Sequence, residues 1–217
     1  MSEFASRRVM MVDTQVRPSD VTKFPIIAAM LAIPREVYVP DRLREAAYFG
    51  QNVDLGGGRV VLEPRTLAKL LDALDIQPDE VVLDLGCGLG YSAAVIARLA
   101  EAVIAVEEDE AMAAEAQRLL AVEGVDNAAV LAGPLPAGAP KHGPYDVITV
   151  QGGVEAVPGA VLEQIRDGGR IGAIFMTGAL GRAMVGYKID GQVTWRFSFN
   201  ATAPVLPGFA AARGFVL

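Results

Sequence analysis

The sequence is poor in the side chains that build metal centres and nucleophilic triads. Among 217 residues there is one cysteine, one histidine and one tryptophan, and aromatic residues make up 6%. A single cysteine excludes an internal disulfide. Cys87 and His142 alone cannot assemble a zinc cluster or a Ser-His-Asp set, so no metal site is expected. No stretch approaches the ~18 uninterrupted apolar residues of a membrane span. The first residues carry Glu3, Arg7, Arg8, Asp13, Arg17 and Asp20 and lack the apolar core of a secretory signal. Positive charge is in deficit, with 19 Lys+Arg against 26 Asp+Glu and a formal net charge of -7. That balance excludes a protein whose affinity comes from neutralising phosphates. The expectation is a reduced, cytoplasmic, soluble protein that engages neither nucleic acid nor membrane. What is abundant is apolar character, 52% of residues against 21% charged, enough for a sizeable core. The length suits one domain of about 100–200 residues with an elaborated end.

The pattern changes along the chain. Ile26, Ile27, Met30 and Leu31 have helical spacing, and Pro34 ends that helix. Arg42 to Tyr48 reads as a second short helix, and Leu55-Gly56-Gly57-Gly58-Arg59 as a hinge or turn. Pro64 suits a first helical position, and Leu67, Leu70, Leu71 and Leu74 form an i, i+3, i+4, i+7 stripe. From about residue 78, short apolar runs alternate with helical segments. Strands are expected at 81–85, 103–106, 128–131, 145–150 and 170–175, helices at 92–100, 109–123 and around 161–165, and a turn at Asp167-Gly168-Gly169. Continuous apolar strands alternating with helices imply a parallel sheet covered on both faces. Asp190-Gly191 joins two further strands as a two-residue hairpin. The expected fold is therefore α/β, a mostly parallel, doubly wound Rossmann-like sheet with an antiparallel last strand and a helical N-terminal cap. Residues 1–77 form the cap and 78–217 the core of one compact unit.

The segment Asp84-Leu85-Gly86-Cys87-Gly88-Leu89-Gly90 lies between the first core strand and its helix, where glycines let the backbone approach a ligand. Its spacing is G-x-G-x-G, with Tyr91 standing where a dinucleotide fingerprint has its last glycine. Asp84 closes the first strand; it would repel a pyrophosphate but serves a ligand bearing an ammonium or sulfonium. Glu107 closes the next strand, where an acid takes both hydroxyls of a ribose. A nucleoside with a cationic tail, S-adenosylmethionine, satisfies all three features. The competing readings are a tight strand-to-helix turn flanked by two surface acids, and NAD(P) binding. A P-loop is excluded because no Gly-Lys-Ser/Thr follows. His142 falls in a loop and reads as solvated, Cys87 as a small residue of the glycine loop, and Trp195 as sheet face.

Nearly end to end, the chain resembles the protein-L-isoaspartate O-methyltransferase family. The resemblance rests on Met11-Val12 with Gln15, on Ile33-Pro34-Arg35-Glu36-Val37-Tyr38-Val39-Pro40, on Ala47-Tyr48, and on Gly58 and Pro64. It continues through Gly90-Tyr91, Tyr145-Asp146-Val147-Ile148-Thr149-Val150 and Asp167-Gly168-Gly169-Arg170 to the terminal hairpin. The resemblance implies a cytoplasmic enzyme that methylates the α-carboxylate of isoaspartyl residues in a protein or peptide, leaving S-adenosylhomocysteine and allowing repair through a succinimide. Together, loop and resemblance imply a cofactor site of Asp84, Gly86, Cys87, Gly88, Gly90, Tyr91, Glu107, Gly133 and Gln151, in a monomer or weak dimer. The chain departs from the family on the acceptor side. The family's Thr-Ile-Ser-Gln-Pro is here Val60-Val61-Leu62-Glu63-Pro64, so both hydroxyls are missing and Leu62 holds the serine position most closely tied to catalysis. Gly133-Pro134-Leu135 replaces a Gly-Asp-Gly near the adenine, and Gln151-Gly152-Gly153 replaces a small Ala-rich run. Two readings follow: a carboxyl methyltransferase, or a methyltransferase-like protein that binds the cofactor while the isoaspartyl activity is lost or changed. Nucleic-acid N-methylation is disfavoured, since no Asn/Asp-Pro-Pro-Tyr/Phe follows the fourth strand.

Overall fold

The computed structural model describes residues 3–211; the outermost parts of the two expected regions, residues 1–2 and 212–217, lie outside the described residues. The chain begins with helix α1 (Glu3–Met11), a single wide turn over Val12–Val16, and helix α2 (Phe24–Ala32). The short helix expected at Arg42 to Tyr48 is present as a 3-10 helix over Asp41–Ala46. Strands β1 (Val53–Gly56) and β2 (Arg59–Val61) pair antiparallel as a separate two-stranded hairpin. Helix α3 (Pro64–Leu74) follows, with Pro64 in its first turn and Leu67, Leu70, Leu71 and Leu74 all buried, as the stripe requires.

The core is a seven-stranded sheet. Its strands are β3 (Val81–Leu85), β4 (Ala102–Glu107), β5 (Ala128–Ala132), β6 (Tyr145–Val154), β7 (Ile165–Thr177), β8 (Leu180–Ile189) and β9 (Gln192–Asn200), in the order β5-β4-β3-β6-β7-β8-β9. The first five are mutually parallel; β8 runs antiparallel to β7, and β9 antiparallel to β8. Asp190 and Gly191 both take positive φ between β8 and β9, the geometry of a two-residue hairpin. Helices α4 (Tyr91–Ile96), α5 (Glu110–Val122) and α6 (Gly159–Glu163) connect the parallel strands. The two-residue period of β3 divides the core: Val82 joins the cluster under α3, α4 and the cap, and Leu83 and Leu85 join the one beside α6.

Several boundaries differ from expectation, and the helix expected at 92–100 ends at Ile96. The helix expected around 161–165 ends at Glu163, and Ile165 already pairs with Tyr145 in the sheet. The Asp167-Gly168-Gly169 turn lies inside β7, where Gly168 at φ 81° accompanies a register shift against β6. A glycine pair marks a bulge in a continuing strand as readily as it marks a strand end. Strand β6 runs on to Val154 because Gly153 and its neighbours pair further with β7 and with the segment around Val205.

Candidate functional site

The glycine loop 86–90 lies where β3 meets α4, at the C-terminal edge of the parallel strands, the side on which such sheets take ligands. Gly88 and Gly90 have φ of 57° and 95°, and a side chain at either position would be strained. Gly90 packs its backbone against Ala116 of α5.

Asp84 and Glu107 are both fully buried, and each is saturated with donors. Asp84 accepts from Ser92 Oγ at 2.6 Å, Thr149 Oγ1 at 2.6 Å and Gln151 Nε2 at 2.7 Å. Burial pushes its carboxyl above the usual carboxylate range in spite of these three bonds. Glu107 accepts from the backbone N–H groups of Gly88 (3.0 Å), Glu108 (2.8 Å) and Asp109 (3.1 Å). Its two oxygens also receive Arg59 Nε, at 2.9 and 3.1 Å. Arg59 comes from the β1–β2 hairpin and is itself buried, with Nη1 unpartnered.

The Val60-Val61-Leu62 segment faces this loop. With Leu67, Cys87, Tyr91, Ser92 and Gln151 it lines a cavity of about 10 Å³. Its wall is apolar where Val60 and Leu62 stand, and both are buried. Glu63 turns away toward the start of α3, accepting Thr66 Oγ1 at 2.6 Å. The segment is fastened from behind by Arg35, which is fully buried: Nη2 donates to the Leu62 carbonyl at 2.8 Å and Nε to the Ala47 carbonyl at 2.5 Å. The guanidinium lies 4.8 Å from the Tyr91 ring centroid, and burial depresses its pKa. Tyr91 is buried with its hydroxyl unpartnered. Cys87 is also buried, and burial pushes its thiol well above its ordinary value, which disfavours the nucleophilic thiolate. Gly133 is bound through its N–H to the Glu107 carbonyl, and the space where a β-carbon would project is open. His142 is exposed in a short turn before β6 and takes no part. Among the described residues, no group of three or more His, Cys, Asp or Glu is arranged to hold a metal ion, and no helix is long and apolar enough to cross a membrane.

The structure thus places Asp84, Gly86, Cys87, Gly88, Gly90, Tyr91, Glu107 and Gln151 together around one loop. Gln151 reaches the loop by bonding Asp84. Three of the bonding partners escaped sequence reasoning: Arg59, Ser92 and Thr149. Arg59 directly after three glycines, and Ser92 eight residues after Asp84, are the only local signals of their roles. The donor set suits S-adenosylmethionine, with a buried acid at the end of β4, backbone glycines beneath and an open flank at Gly133. The place above the loop, however, is filled by this chain itself. A β-carbon at Gly88 would stand 2.6 Å from Leu55 Cδ1, and one at Gly86 3.1 Å from Leu206 Cδ1.

A parallel sheet with a G-x-G-x-G loop, a ribose-type acid at the adjacent strand end and antiparallel closing strands has the architecture of a Rossmann-like methyltransferase. The comparisons make the class specific. The family described as protein-L-isoaspartate(D-aspartate) O-methyltransferase matches residues 8–178, and the chain belongs to that family. Protein-L-isoaspartate O-methyltransferase 2 of Pelobacter propionicus is 36% identical over 165 residues, covering 76% of this chain and 73% of the relative. Protein-L-isoaspartate O-methyltransferase of a Synechococcus species is 37% identical over 168 residues, 77% and 69% of the two chains. Among solved structures, a protein-L-isoaspartate O-methyltransferase superposes with a TM-score of 0.81 at 24% identity, covering 93% of this chain and 66% of the other. A Plasmodium falciparum protein in complex with S-adenosyl-L-homocysteine gives 0.78 at 15% identity, covering 95% and 99%.

Proposed function

We propose that the chain is an S-adenosylmethionine-dependent methyltransferase that esterifies the α-carboxylate of isoaspartyl residues in damaged proteins, slowed by an acceptor wall without hydroxyls. The observation that carries this reading is that the Val60–Leu62 segment lines one cavity with Cys87 of the glycine loop, while Glu107 is bonded to the same loop at Gly88, in a chain of this family. When bound, the cofactor supplies a methyl group on a sulfonium, a good leaving group. Glu107 accepts the ribose hydroxyls, the backbone of Gly86, Gly88 and Gly90 lies beneath the ligand, Gly133 flanks the adenine, and Cys87, Tyr91 and Gln151 line the methyl end. Asp84 holds the loop in shape through Ser92 and Gln151. The acceptor carboxylate is already a nucleophile, so the chain has only to orient it and exclude water. No general base is needed, consistent with a protonated Cys87 and an exposed His142.

The cap, residues 1–77, carries the acceptor side, and residues 78–217 carry the cofactor side. The formal charge of -7 supports a protein or peptide partner over nucleic acid. The reading extends to a cytoplasmic monomer or weak dimer. A second reading, binding of the cofactor with another acceptor, is favoured by the apolar side chains of Val60 and Leu62 where an anion must approach.

The test is methyl transfer to a standard isoaspartyl peptide by the natural chain and by the double variant Val60→Thr, Leu62→Ser. Two restored hydrogen bonds to a charged acceptor, each worth about 1.5–3 kcal/mol, should raise transfer by roughly 10²–10⁴. Equal rates would show that the hydroxyls do not matter here. Inactivity of both would move the chain to the second reading.

A further inference from the structure

We propose that the β1–β2 hairpin is a gate that holds the cofactor cleft shut from within, with Arg59 taking the place of the ribose on Glu107. The Arg59 Nε–H is shared between Oε1 and Oε2 of Glu107, the two acceptors that a vicinal diol uses. Arg59 Nη2 reaches Glu108 Oε2 at 3.5 Å on the same strand end. Leu55, from the other strand of the hairpin, covers Gly88 so closely that no β-carbon fits between them. Arg59 therefore occupies both Glu107 oxygens and Leu55 the space over Gly88, and the neighbouring cavity between Val60–Leu62 and Cys87 holds only about 10 Å³, against the ~300 Å³ or more of a small-molecule site. A nucleoside cannot enter until the hairpin lifts.

The tip of the hairpin, residues 55–59, is built to lift, while Arg35 holds the far end of β2 by the Val61 and Leu62 carbonyls. The hairpin strands form a two-stranded sheet of their own, unconnected to the seven-stranded one, and an isolated pair is marginally stable. Gly56, Gly57 and Gly58 all have positive φ, and β-carbons there would meet nothing, so the turn projects freely. The lock is also imperfect. Arg59 Nη1 is buried without a partner, a cost that is relieved once the guanidinium swings into water. Glu107 keeps three backbone donors when Arg59 leaves, so the acid stays in place to receive the diol. A shut gate lowers apparent affinity by the fraction of molecules that are open.

The inference rests on the reading of S-adenosylmethionine as cofactor, and its test reads binding, not turnover. S-adenosylhomocysteine is titrated calorimetrically into the natural chain, Arg59→Gln and Leu55→Ala, with hydrogen exchange of residues 53–61 followed in the free proteins. Arg59→Gln should bind about tenfold or more tightly and exchange faster across the hairpin. Leu55→Ala should bind several-fold more tightly while leaving the Glu107 contacts intact. Equal or weaker binding by both variants overturns the gate alone, and marks Arg59 as a fixed strut or a cofactor ligand. Failure of all three proteins to bind overturns the gate and the cofactor reading together. Tighter binding with no transfer to isoaspartyl peptide supports the gate and sinks only the acceptor assignment.

Discussion

Asp84 and Glu107 stand at the ends of neighbouring parallel strands and are equally buried, yet they are held in opposite ways. Every side chain that bonds Asp84 is neutral and comes from the Rossmann core itself: Ser92 from α4, Thr149 and Gln151 from β6. Glu107 takes backbone donors from its own strand end and the loop, and its one side-chain partner is a cation from outside the sheet. Burial raises the Asp84 pKa, with no cation among its partners to lower it. The difference separates scaffold from site. An acid whose partners all belong to the core fixes the shape of the loop; one whose partner can withdraw is available to a ligand.

The strongest challenge to that division is Asp84→Ala. It strands two hydroxyls and an amide in the core and should cost about 2–4 kcal/mol of stability, read by urea unfolding. Asp84→Asn should recover most of this, because the Ser92 and Thr149 hydroxyls can turn to accept. The raised pKa adds a pH signature: the stability tied to Asp84 is fully present below the ordinary carboxylate value and is lost as pH rises through the raised one. The Asn variant should lack that decline.

Glu107→Ala should instead act on binding. S-adenosylhomocysteine affinity falls by roughly 1.5–3 kcal/mol as a charge-assisted contact to the ribose disappears, partly offset by release of Arg59. Its stability loss should be smaller than that of Asp84→Ala, since the hairpin can carry Arg59 out to water. An equal loss would make the hairpin part of the scaffold and erase the contrast.

Glu80 gives the smallest effect and a control remote from both acids. It is paired with Arg170 through two bonds of 2.7 and 2.8 Å and accepts the Gln77 N–H. Burial alone would raise its pKa, but the Arg170 and Gln77 bonds outweigh burial and hold it below the ordinary value. Its contribution is therefore present above the unfolded value of about 4.3 and is lost as pH falls through the lowered one. Glu80→Gln should cost about 1–2 kcal/mol at neutral pH and flatten the acid side of the thermal-stability profile. A variant as acid-sensitive as the natural chain would assign that loss to other carboxylates.

The features that sequence revealed are those decided within a few residues. The leucine stripe of α3, the Asp190-Gly191 hairpin and the G-x-G-x-G loop each depend on local spacing, and each stands where that spacing puts it. The end of α6 and the start of β7 did not follow, because Ile165 is claimed by pairing with Tyr145, twenty residues upstream. The site divides in the same way. Glu107 at a strand end was readable; its partner Arg59, 48 residues away, was not. Asp84 suggested a cationic ligand, and its actual partners lie 8, 65 and 67 residues off. Long-range partners of a buried charge are chosen by the packing of whole elements, which no short window contains.

Arg35 grips the Leu62 carbonyl, and weakly that of Val61, so its hydrogen bonds to the wall go to the main chain alone. An anchor that reads only the main chain is indifferent to which residues the wall presents. Thr-Ile-Ser and Val-Val-Leu can hang from it in the same position, so substitutions that rewrite the acceptor surface need not disturb the frame that carries it. The lineage could exchange one substrate-facing surface for another by single steps, at the cost of the buried side chain that changes and not of the fastening, because the fastening was never written into the part that changed.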